Sequence, residues 1–436
     1  MSSVKIDFNT ATALVIANMI GTGVFTSLGY QVLGIESIFS VLMLWVIGGI
    51  IALCGALTYG EIGSAFPQSG GEYNYLSKLY HPAIGFLSGW VSVTVGFAAP
   101  IAAAAVALGL YVSKIFPGVN ANALSVMVVV ALTALHATDV KLGSGFQKLF
   151  TAFKILAIIF LVGAGLMSHP EHSITITPQP FSWKEICSAP FAVSLVFVSY
   201  AYSGWNASSY IAGELDNPQR NLPRSLLLGT GAVMLLYVLL NYVFLYTVPV
   251  NELKGFAEVG YLSAEKIFGH VLGSFMGLVI ALLLVSTLSA MILTGPRVMR
   301  SMGGDMQLLK VFTTSNKKGV PYVAVLFQSL ISIALILTSS FSSLITYVGF
   351  TLSLCTFLTV AGIFVLRTKF KDVHTTYKTW GYPVTPLIFL ASTGWVMYFI
   401  FKDKTVESLY GFGTVLLGLI VYFAGRKLQS SHVSEK

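Results

Sequence analysis

The chain has 436 residues, of which 55% are hydrophobic and 10% are charged. Because an ordinary soluble domain has about 25% charged residues, this composition excludes a soluble globule and predicts an integral membrane protein. The formal net charge of +8 does not indicate nucleic acid binding, since the basic residues lie between apolar runs rather than along one basic stripe. The three cysteines, Cys54, Cys187 and Cys355, are too few and too scattered to predict a disulfide framework or a metal site.

Apolar runs of about 20 residues predict twelve transmembrane helices. Their approximate limits are 8–32, 38–62, 83–111, 123–138, 146–167, 190–211, 224–247, 273–296, 320–338, 345–366, 382–401 and 406–425. The first run is longer than the core of a signal peptide, so we expect it to stay on the mature protein. A cytoplasmic N-terminus places eighteen of the 25 lysines and arginines inside and six outside. The positive-inside rule therefore predicts a multi-pass protein of the cell membrane with both termini in the cytoplasm.

The first apolar run contains a glycine-rich interruption, Asn18-Met19-Ile20-Gly21-Thr22-Gly23-Val24-Phe25. Glycine inside a helix costs about 1 kcal/mol relative to alanine. Irregular backbone at membrane depth is tolerated where it is buried in protein or lines a polar cavity. The run is either a broken helix whose backbone groups bind a ligand, or a helix whose glycines allow close packing. A nucleotide-binding loop is excluded, because no strand precedes the glycines and no P-loop lysine follows them.

The sixth apolar run has a second interruption, Ser199-Tyr200-Ala201-Tyr202-Ser203-Gly204-Trp205-Asn206. It lies five helices after the first. Interruptions at matching positions of two halves are typical of transporters built from inverted repeats, and they favour the ligand-binding interpretation of both. The pattern predicts an all-α protein with a first repeat over residues 1–167, a second over 188–367, and two further helices with a tail over 382–436.

The two interruptions also predict the chemistry of the ligand. The half-helix after the first break has unpaired N–H groups at the positive end of its dipole, so Thr22, Gly23 and Val24 can hold a carboxylate. The half-helices that end at the two breaks expose carbonyl groups, which suit an ammonium group. A zwitterionic amino acid matches both. Since no charged residue lies near either break in the sequence, we expect the side chain of this amino acid to be neutral.

Four motifs, in this order, resemble the amino acid–polyamine–organocation superfamily. They are the Asn18 to Phe25 interruption, Pro67…Gly70-Gly71-Glu72-Tyr73, the Tyr200 to Asn206 interruption, and Glu214…Asn217-Pro218…Arg220…Pro223. The second interruption is most similar to that of the L-type amino acid transporters, including bacterial exchangers of alanine, serine and cysteine. The resemblance implies a LeuT-like 5+5 inverted repeat with two extra C-terminal helices, discontinuous helices 1 and 6, and alternating access.

The same resemblance implies a substrate site. Its residues would be Met19, Ile20, Gly21, Thr22, Gly23, Val24, Tyr200, Ala201, Tyr202, Ser203 and Gly204. The N–H groups around Thr22 and Gly23 would bind the substrate carboxylate, and the carbonyls of Met19, Tyr200 and Ser203 would bind its amino group. Tyr200 would cover the substrate as a gate. No cofactor is implied.

The resemblance also bears on partners. Animal members are linked to a glycoprotein heavy chain through a cysteine between spans three and four. Residues 111–123 of this chain contain no cysteine. We therefore expect no disulfide-linked heavy chain and a protein that works as a single chain in membrane lipid.

Lys154 is the most unusual ionisable residue. The fifth span must begin near Phe146 to cross the membrane, which places Lys154 about 12 Å deep at 1.5 Å per residue. A lysine that snorkels to the surface is one interpretation, but charges inside a membrane are by default functional. Sodium-coupled relatives of the implied fold hold a sodium ion between spans one, five and eight. By resemblance, the Lys154 ammonium would replace that ion and bond the backbone near Ala17 and the hydroxyl of Ser286 or Ser289.

Several other polar residues have weaker patterns. Tyr237, in span seven, either supports Lys154 and the first break or simply packs, and packing is the expectation. Glu61 and Asp139 lie near the predicted cytoplasmic ends of their spans, where we expect solvated carboxylates. His136 is expected to be structural.

Three functional classes remain. They are a sodium-independent exchanger of small neutral amino acids, a proton-coupled amino acid symporter in which Lys154 titrates, and a membrane sensor or enzyme. The third is disfavoured, because the sequence shows no arrangement of nucleophile, base and orienting group, and no soluble signalling domain. The exchanger is the favoured interpretation, and symport stays open.

Overall fold

The computed structural model describes residues 5–138, 142–169, 174–373 and 375–434, and the regular secondary structure in this part of the chain is helical apart from one isolated bridge between Ile6 and Leu215. The α-helices are α1 Phe8–Met19, α2 Gly23–Thr26, α3 Leu28–Gln31, α4 Ile38–Ala65, α5 Glu72–Leu79, α6 Pro82–Val91, α7 Ala98–Ile115, α8 Ala121–Thr138, α9 Leu142–Met167, α10 Ser182–Ile186, α11 Ala189–Tyr202, α12 Pro218–Thr247, α13 Val250–Leu253, α14 Val259–Asp305, α15 Tyr322–Thr338, α16 Phe341–Lys369, α17 Val384–Asp403 and α18 Thr405–Ser434. A π-helical segment, Ser92–Phe97, joins α6 to α7, and 3₁₀ segments cover Ala207–Glu214 and Gln307–Thr313.

Ten helical stretches among the described residues are long and apolar enough to cross a membrane. Another apolar helix, α15, has 17 residues and is shorter. The predicted sixth span is divided between α11, with 14 residues, and the following 3₁₀ segment, so neither piece reaches the usual length of about 20 residues. The protein is therefore a multi-pass membrane protein, and the total of twelve spans stays a prediction.

Local sequence explains where the broken helices start. Ser188 caps α11, because its side chain accepts a hydrogen bond from the N–H of Phe191, and a proline lies in the first turn. Asp7 caps α1 by accepting the N–H of Thr10. These caps fix both helices at the ends opposite to their breaks.

The chain forms two compact units. The first consists of Met1–Gly85, Ile158–Val259 and Ser353–Thr405, and in it α12 packs against α1 and α4. The second consists of Phe86–Ala157, Gly260–Leu352 and Val406–Lys436, and in it α7, α8 and α15 pack together. Both predicted breaks lie in the first unit, and Lys154 lies in the second. The division into repeats at 1–167 and 188–367 stays a prediction.

Candidate functional site

The first break lies between α1 and α2. Helix α1 ends at Met19, and Ile20 adopts an extended conformation with ψ of 92° while its N–H still donates to the carbonyl of Ile16. Helical structure resumes at Gly23. The last carbonyls of α1 and the first N–H groups of α2 therefore lack the partners that a continuous helix would supply.

The second break lies between α11 and the 3₁₀ segment. Ser203 leaves the helix with ψ of 145°, and its N–H donates to the carbonyl of Tyr200 over 3.0 Å. Gly204 has a φ of +94°, and a Cβ there would lie 2.9 Å from the carbonyl carbon of Asn18. Glycine is required at this position because the backbone is left-handed and α1 is in contact with it.

Direct contacts join the two breaks. A hydrogen bond of 2.8 Å links the buried hydroxyls of Thr22 and Tyr200. A Cβ on Gly23 would lie 2.5 Å from the Cα of Ala201, so α2 approaches α11 to backbone contact. The residues that the sequence predicts as one site, from two segments almost 180 positions apart, are thus adjacent in the first unit.

Tyr237 of α12 bridges the same two helix ends. Its hydroxyl lies 2.5 Å from the carbonyl oxygen of Met19 and 3.2 Å from that of Ala201. A hydroxyl has one hydrogen, so it is shared between the two carbonyls. The sequence places Tyr237 only as possible support and favours packing, whereas the structure gives its hydroxyl this bridging position.

The side chains around the breaks are largely buried. Met19, Ile20, Thr22, Val24, Tyr200, Ala201 and Tyr202 are all buried, while Gly21, Ser203 and Gly204 are half-buried. The Tyr202 hydroxyl donates to the carbonyl of Trp45 on α4 over 2.9 Å. The Trp45 ring meets Tyr237 edge to face at 5.7 Å, so aromatic packing supports the bridging tyrosine.

One charged residue reaches the second break. Glu72, the first residue of α5, is buried, and its Oε1 accepts a hydrogen bond of 2.9 Å from Nδ2 of Asn206 and one of 2.6 Å from the Tyr59 hydroxyl. No charged residue lies near either break in the sequence, but the fold brings Glu72 to Asn206 at the end of the second break. The sequence separation of 134 positions hides this contact, which forms because the loop after α4 returns to the break.

Lys154 lies in the second unit on α9 and is 3% exposed. Its ammonium donates to the hydroxyl of Thr287 on α14 over 2.8 Å. Of the two predicted partners, Ser289 shares a hydrogen bond of 2.8 Å with His136, and the Ser286 hydroxyl is buried with no hydrogen bond among the described residues. Ala17 lies on α1, and its predicted bond to Lys154 stays a prediction.

Comparison of the sequence with known protein families identifies the family of this chain. The profile described as amino acid permease matches residues 6–423. The chain belongs to this family, within the amino acid–polyamine–organocation superfamily. It is therefore an amino acid transporter.

Individual relatives align with this permease over almost its whole length. It is 28% identical to the b(0,+)-type amino acid transporter 1 of Mus musculus, over 94% of its own chain and 85% of the relative. It is 29% identical to the large neutral amino acids transporter small subunit 2 of Mus musculus, over 97% and 81%. It is 27% identical to the serine/threonine exchanger SteT of Bacillus subtilis (strain 168), over 97% and 96%.

The environment of Glu61 in the permease differs from the solvated position that the sequence predicts. Glu61 is 3% exposed rather than solvated. Its carboxylate accepts hydrogen bonds of 2.9 and 2.8 Å from Arg367, and a third of 2.6 Å from the N–H of Thr379. The segment after α16 folds over the end of α4 and removes Glu61 from water. Asp139, expected to be solvated as well, lies outside the described residues.

Sequence reasoning did not identify Thr287 or Glu72 as functional candidates. Thr287 lies beside Ser286 and two positions before Ser289, so a run of hydroxyls on one apolar helix was the available signal. Glu72 lies within a turn-rich motif, 67–73, whose local sequence indicates only the family resemblance. Both residues acquire their positions from long-range contacts rather than from local sequence.

Proposed function

We propose that this permease exchanges small neutral L-amino acids, of the alanine, serine and cysteine type, across the cell membrane by alternating access and without sodium. The observation that carries the proposal is the junction of the two breaks, at which Thr22 and Tyr200 share a hydrogen bond of 2.8 Å. Two helix ends with incomplete backbone hydrogen bonding are brought together there. Such ends bind charged ligand groups without charged side chains.

In this proposal the two ends take opposite charges of the substrate. The N–H groups of Thr22, Gly23 and Val24 receive the carboxylate. The carbonyls of Met19, Tyr200 and Ser203 receive the ammonium. The Met19 and Tyr200 carbonyls already accept one hydrogen bond each, from the Tyr237 hydroxyl and the Ser203 N–H, and a carbonyl oxygen has a second lone pair available.

Tyr200 is proposed as the gate. Its ring is buried, and its hydroxyl is tied to Thr22 at the start of α2. Opening the site requires this hydrogen bond to break or to move with both helices. A gate that bonds the carboxylate-binding segment links substrate binding to closure.

Neutral selectivity is supported by the hydrogen bonds at the breaks. In the described residues, those that join α1, α2, α11 and Tyr237 involve hydroxyl and backbone groups. Glu72 is directed to Asn206 and Tyr59, at the far end of the second break. We therefore expect alanine and serine to compete for uptake, and lysine, arginine and glutamate to compete poorly. Strong inhibition by arginine contradicts a neutral site.

Sodium independence is supported by the burial of Lys154. Its ammonium is held by Thr287 inside the second unit instead of reaching solvent, as a snorkelling lysine would. We propose that this fixed cation takes the role that sodium has in sodium-coupled proteins of the LeuT-like 5+5 fold. The proposal includes that fold, with twelve spans and cytoplasmic termini.

The decisive experiment is uptake of radiolabelled alanine into proteoliposomes that contain the purified permease. Uptake should require unlabelled alanine inside and should not change when external sodium is replaced by choline. A several-fold loss in choline contradicts sodium independence. If an imposed proton gradient drives uptake into vesicles that contain no amino acid, the permease is a proton symporter and not an exchanger.

The permease is proposed to act without a disulfide-linked partner. The connection from α7 to α8 contains no cysteine that a heavy chain could use. One relative is named as a small subunit and another as an exchanger without that term. Transport by the purified single chain in the same proteoliposomes tests this point directly.

A further inference from the structure

A basic cavity lies in the first unit, and none of its lining residues belongs to either break. It has a volume of about 380 Å³, within the range of small-molecule sites. Its lining combines the end of α16, the segment that follows it, and Glu61 near the end of α4. Because α16 is a membrane-spanning helix that ends at Lys369, the cavity lies at the level of the membrane surface.

The cavity carries excess positive charge. Arg367, Lys371 and Lys378 line it, and Glu61 is the acid among its described lining residues. Glu61 forms a two-bond ion pair with Arg367, which neutralises that guanidinium. Lys371 and Lys378 are exposed, and neither takes part in an ion pair within the described part of the chain. Two positive charges are thus available to an anion.

The cavity wall continues into a surface of apolar residues. Trp380, two positions after Lys378, is 69% exposed. On the first turns of α17, Val384 is 60% exposed and Leu387 is 50% exposed. Exposed tryptophan is typical of the membrane–water interface, and exposed aliphatic residues on a spanning helix face lipid chains. The Tyr382 ring stacks under the Arg367 guanidinium at 3.7 Å and connects this surface to the cavity.

We propose that this cavity binds the phosphate of an anionic phospholipid headgroup. Lys371 and Lys378 contact the phosphate, and the acyl chains lie along Trp380, Val384 and Leu387. Basic pockets next to spanning helices on the cytoplasmic side are suited to such headgroups. Free inorganic phosphate offers the same charge, but it makes no use of the adjoining apolar surface, so that surface favours lipid. The inference depends on the membrane location of the chain and on the predicted cytoplasmic side of the cavity, and not on transport activity.

The test uses the purified full-length permease and two lipids with identical acyl chains. Native mass spectrometry measures the apparent dissociation constant of the first bound dioleoyl phosphatidylglycerol and, separately, of the first dioleoyl phosphatidylcholine. The variant is Lys371→Gln/Lys378→Gln, which removes two exposed charges and leaves the Glu61–Arg367 pair intact. The matched control is Lys317→Gln/Lys318→Gln, which removes two exposed lysines from a loop on the same predicted side.

Phosphatidylglycerol should bind the unmodified protein more tightly than phosphatidylcholine does. In Lys371→Gln/Lys378→Gln its dissociation constant should rise about twentyfold, and in the control it should stay within about twofold. An unchanged unfolding temperature shows that both variants are folded.

Three results would overturn the inference. Equal affinity for the two lipids removes the need for an anion site. Equal losses in the variant and the control assign the effect to general surface charge. If inorganic phosphate displaces bound phosphatidylglycerol at millimolar concentration and binds with the same affinity, the cavity is assigned to free phosphate instead of lipid.

Discussion

Three buried charged residues, Lys154, Glu61 and Glu72, are stabilised in different ways. Glu61 has a guanidinium partner, Glu72 accepts hydrogen bonds from a tyrosine and an asparagine, and Lys154 donates to a threonine hydroxyl. Burying a charge costs several kcal/mol unless it is paired and hydrogen-bonded, so each set of contacts is needed to offset the cost of burial. Glu61 meets this need with an opposite charge. Glu72 and Lys154 are hydrogen-bonded to hydroxyl and amide groups.

Replacing Lys154 by alanine should alter transport more than stability. The change removes a fixed charge and leaves the Thr287 hydroxyl without its donor. If this charge biases the equilibrium between outward-open and inward-open states, its loss changes apparent affinity on one face more than on the other. We expect slow exchange and an altered KM for alanine on one side. The measurement is exchange with the substrate varied inside and outside right-side-out proteoliposomes.

Thr287 supplies the matched controls for Lys154. Thr287→Ala should reproduce part of the Lys154→Ala effect, whereas Thr287→Ser keeps a hydroxyl and should transport normally. Lys184→Ala removes an exposed lysine and should change neither KM. Wild-type rates and symmetric affinities in an inserted Lys154→Ala protein would return this lysine to a snorkelling role.

Glu72 should contribute to stability through the two donors that it satisfies. Glu72→Ala leaves the Tyr59 hydroxyl and Asn206 Nδ2 without this acceptor, and an unsatisfied buried donor costs about 1–3 kcal/mol. Glu72→Gln keeps one carbonyl oxygen and should lose less. We expect unfolding temperatures in the order wild type, Glu72→Gln, Glu72→Ala, measured by intrinsic fluorescence in detergent. Equal temperatures for the two variants would show that the acceptor oxygen is not what Glu72 provides.

At the scale of elements, the interruptions were predictable because glycine and polar residues are unfavourable in an apolar helix. Their limits were less predictable. The first break covers only Ile20 to Thr22 rather than the whole Asn18 to Phe25 motif, and the second begins after Tyr202. The helix predicted over 273–296 lies within α14, Val259–Asp305, which consists of two helical pieces joined at a kink at Gly269, where φ is +78°. Hydropathy registers only the part of a helix inside hydrocarbon, so extensions containing polar residues are missed.

The contacts between elements were mostly beyond sequence reasoning. Glu61 and Arg367 are separated by 306 positions and Lys154 and Thr287 by 133. Nothing in the local pattern distinguishes Thr287 from the serines beside it. The matching positions of the two interruptions in two halves predicted that they belong together, and the family resemblance then implied which of their residues form one substrate site. The pairing of Glu72 with Asn206 had no such source in the motif itself.

Gly23 tests whether the approach of α2 to α11 is essential. In Gly23→Ala the new methyl would lie 2.5 Å from the backbone of Ala201, which cannot rotate away as a side chain can. Overpacking of this kind costs about 1–3 kcal/mol. We expect a folded protein whose alanine exchange falls at least tenfold, because α2 must shift and the Thr22–Tyr200 hydrogen bond weakens. Exchange in proteoliposomes, with insertion verified by size-exclusion chromatography, measures the effect.

The control for Gly23 is a glycine in open space. A Cβ on Gly163 of α9 meets no atom within 4 Å among the described residues. Gly163→Ala should therefore keep full activity and gain up to about 1 kcal/mol from helix propensity. Normal exchange in Gly23→Ala would mean that close contact between the two breaks is not required for transport.

At the scale of the whole molecule, the distribution of basic residues predicts the orientation of the chain in the membrane. The cavity lysines, Lys371 and Lys378, belong to the side that the positive-inside rule assigns to the cytoplasm. Lipid binding at this cavity and the proposed topology therefore both place Lys371 and Lys378 on the cytoplasmic side of the membrane. The segment between α9 and α11 should lie on the opposite face. A chemical label on that segment tests the predicted orientation.

Cys187 is a suitable site for that label, because it is exposed in the segment between α9 and α11. The other two cysteines, Cys54 and Cys355, are buried in the membrane-spanning helices α4 and α16. If the N-terminus is cytoplasmic and five spans precede Cys187, its thiol faces outside. A membrane-impermeant maleimide should then label the permease in right-side-out vesicles and not in sealed inverted vesicles. Cys187→Ser should abolish this labelling, and Lys317→Cys in that background should restore it only in inverted vesicles. Labelling of Cys187 from the inverted side would reverse the proposed topology, and it would move Lys371 and Lys378 to the outer face.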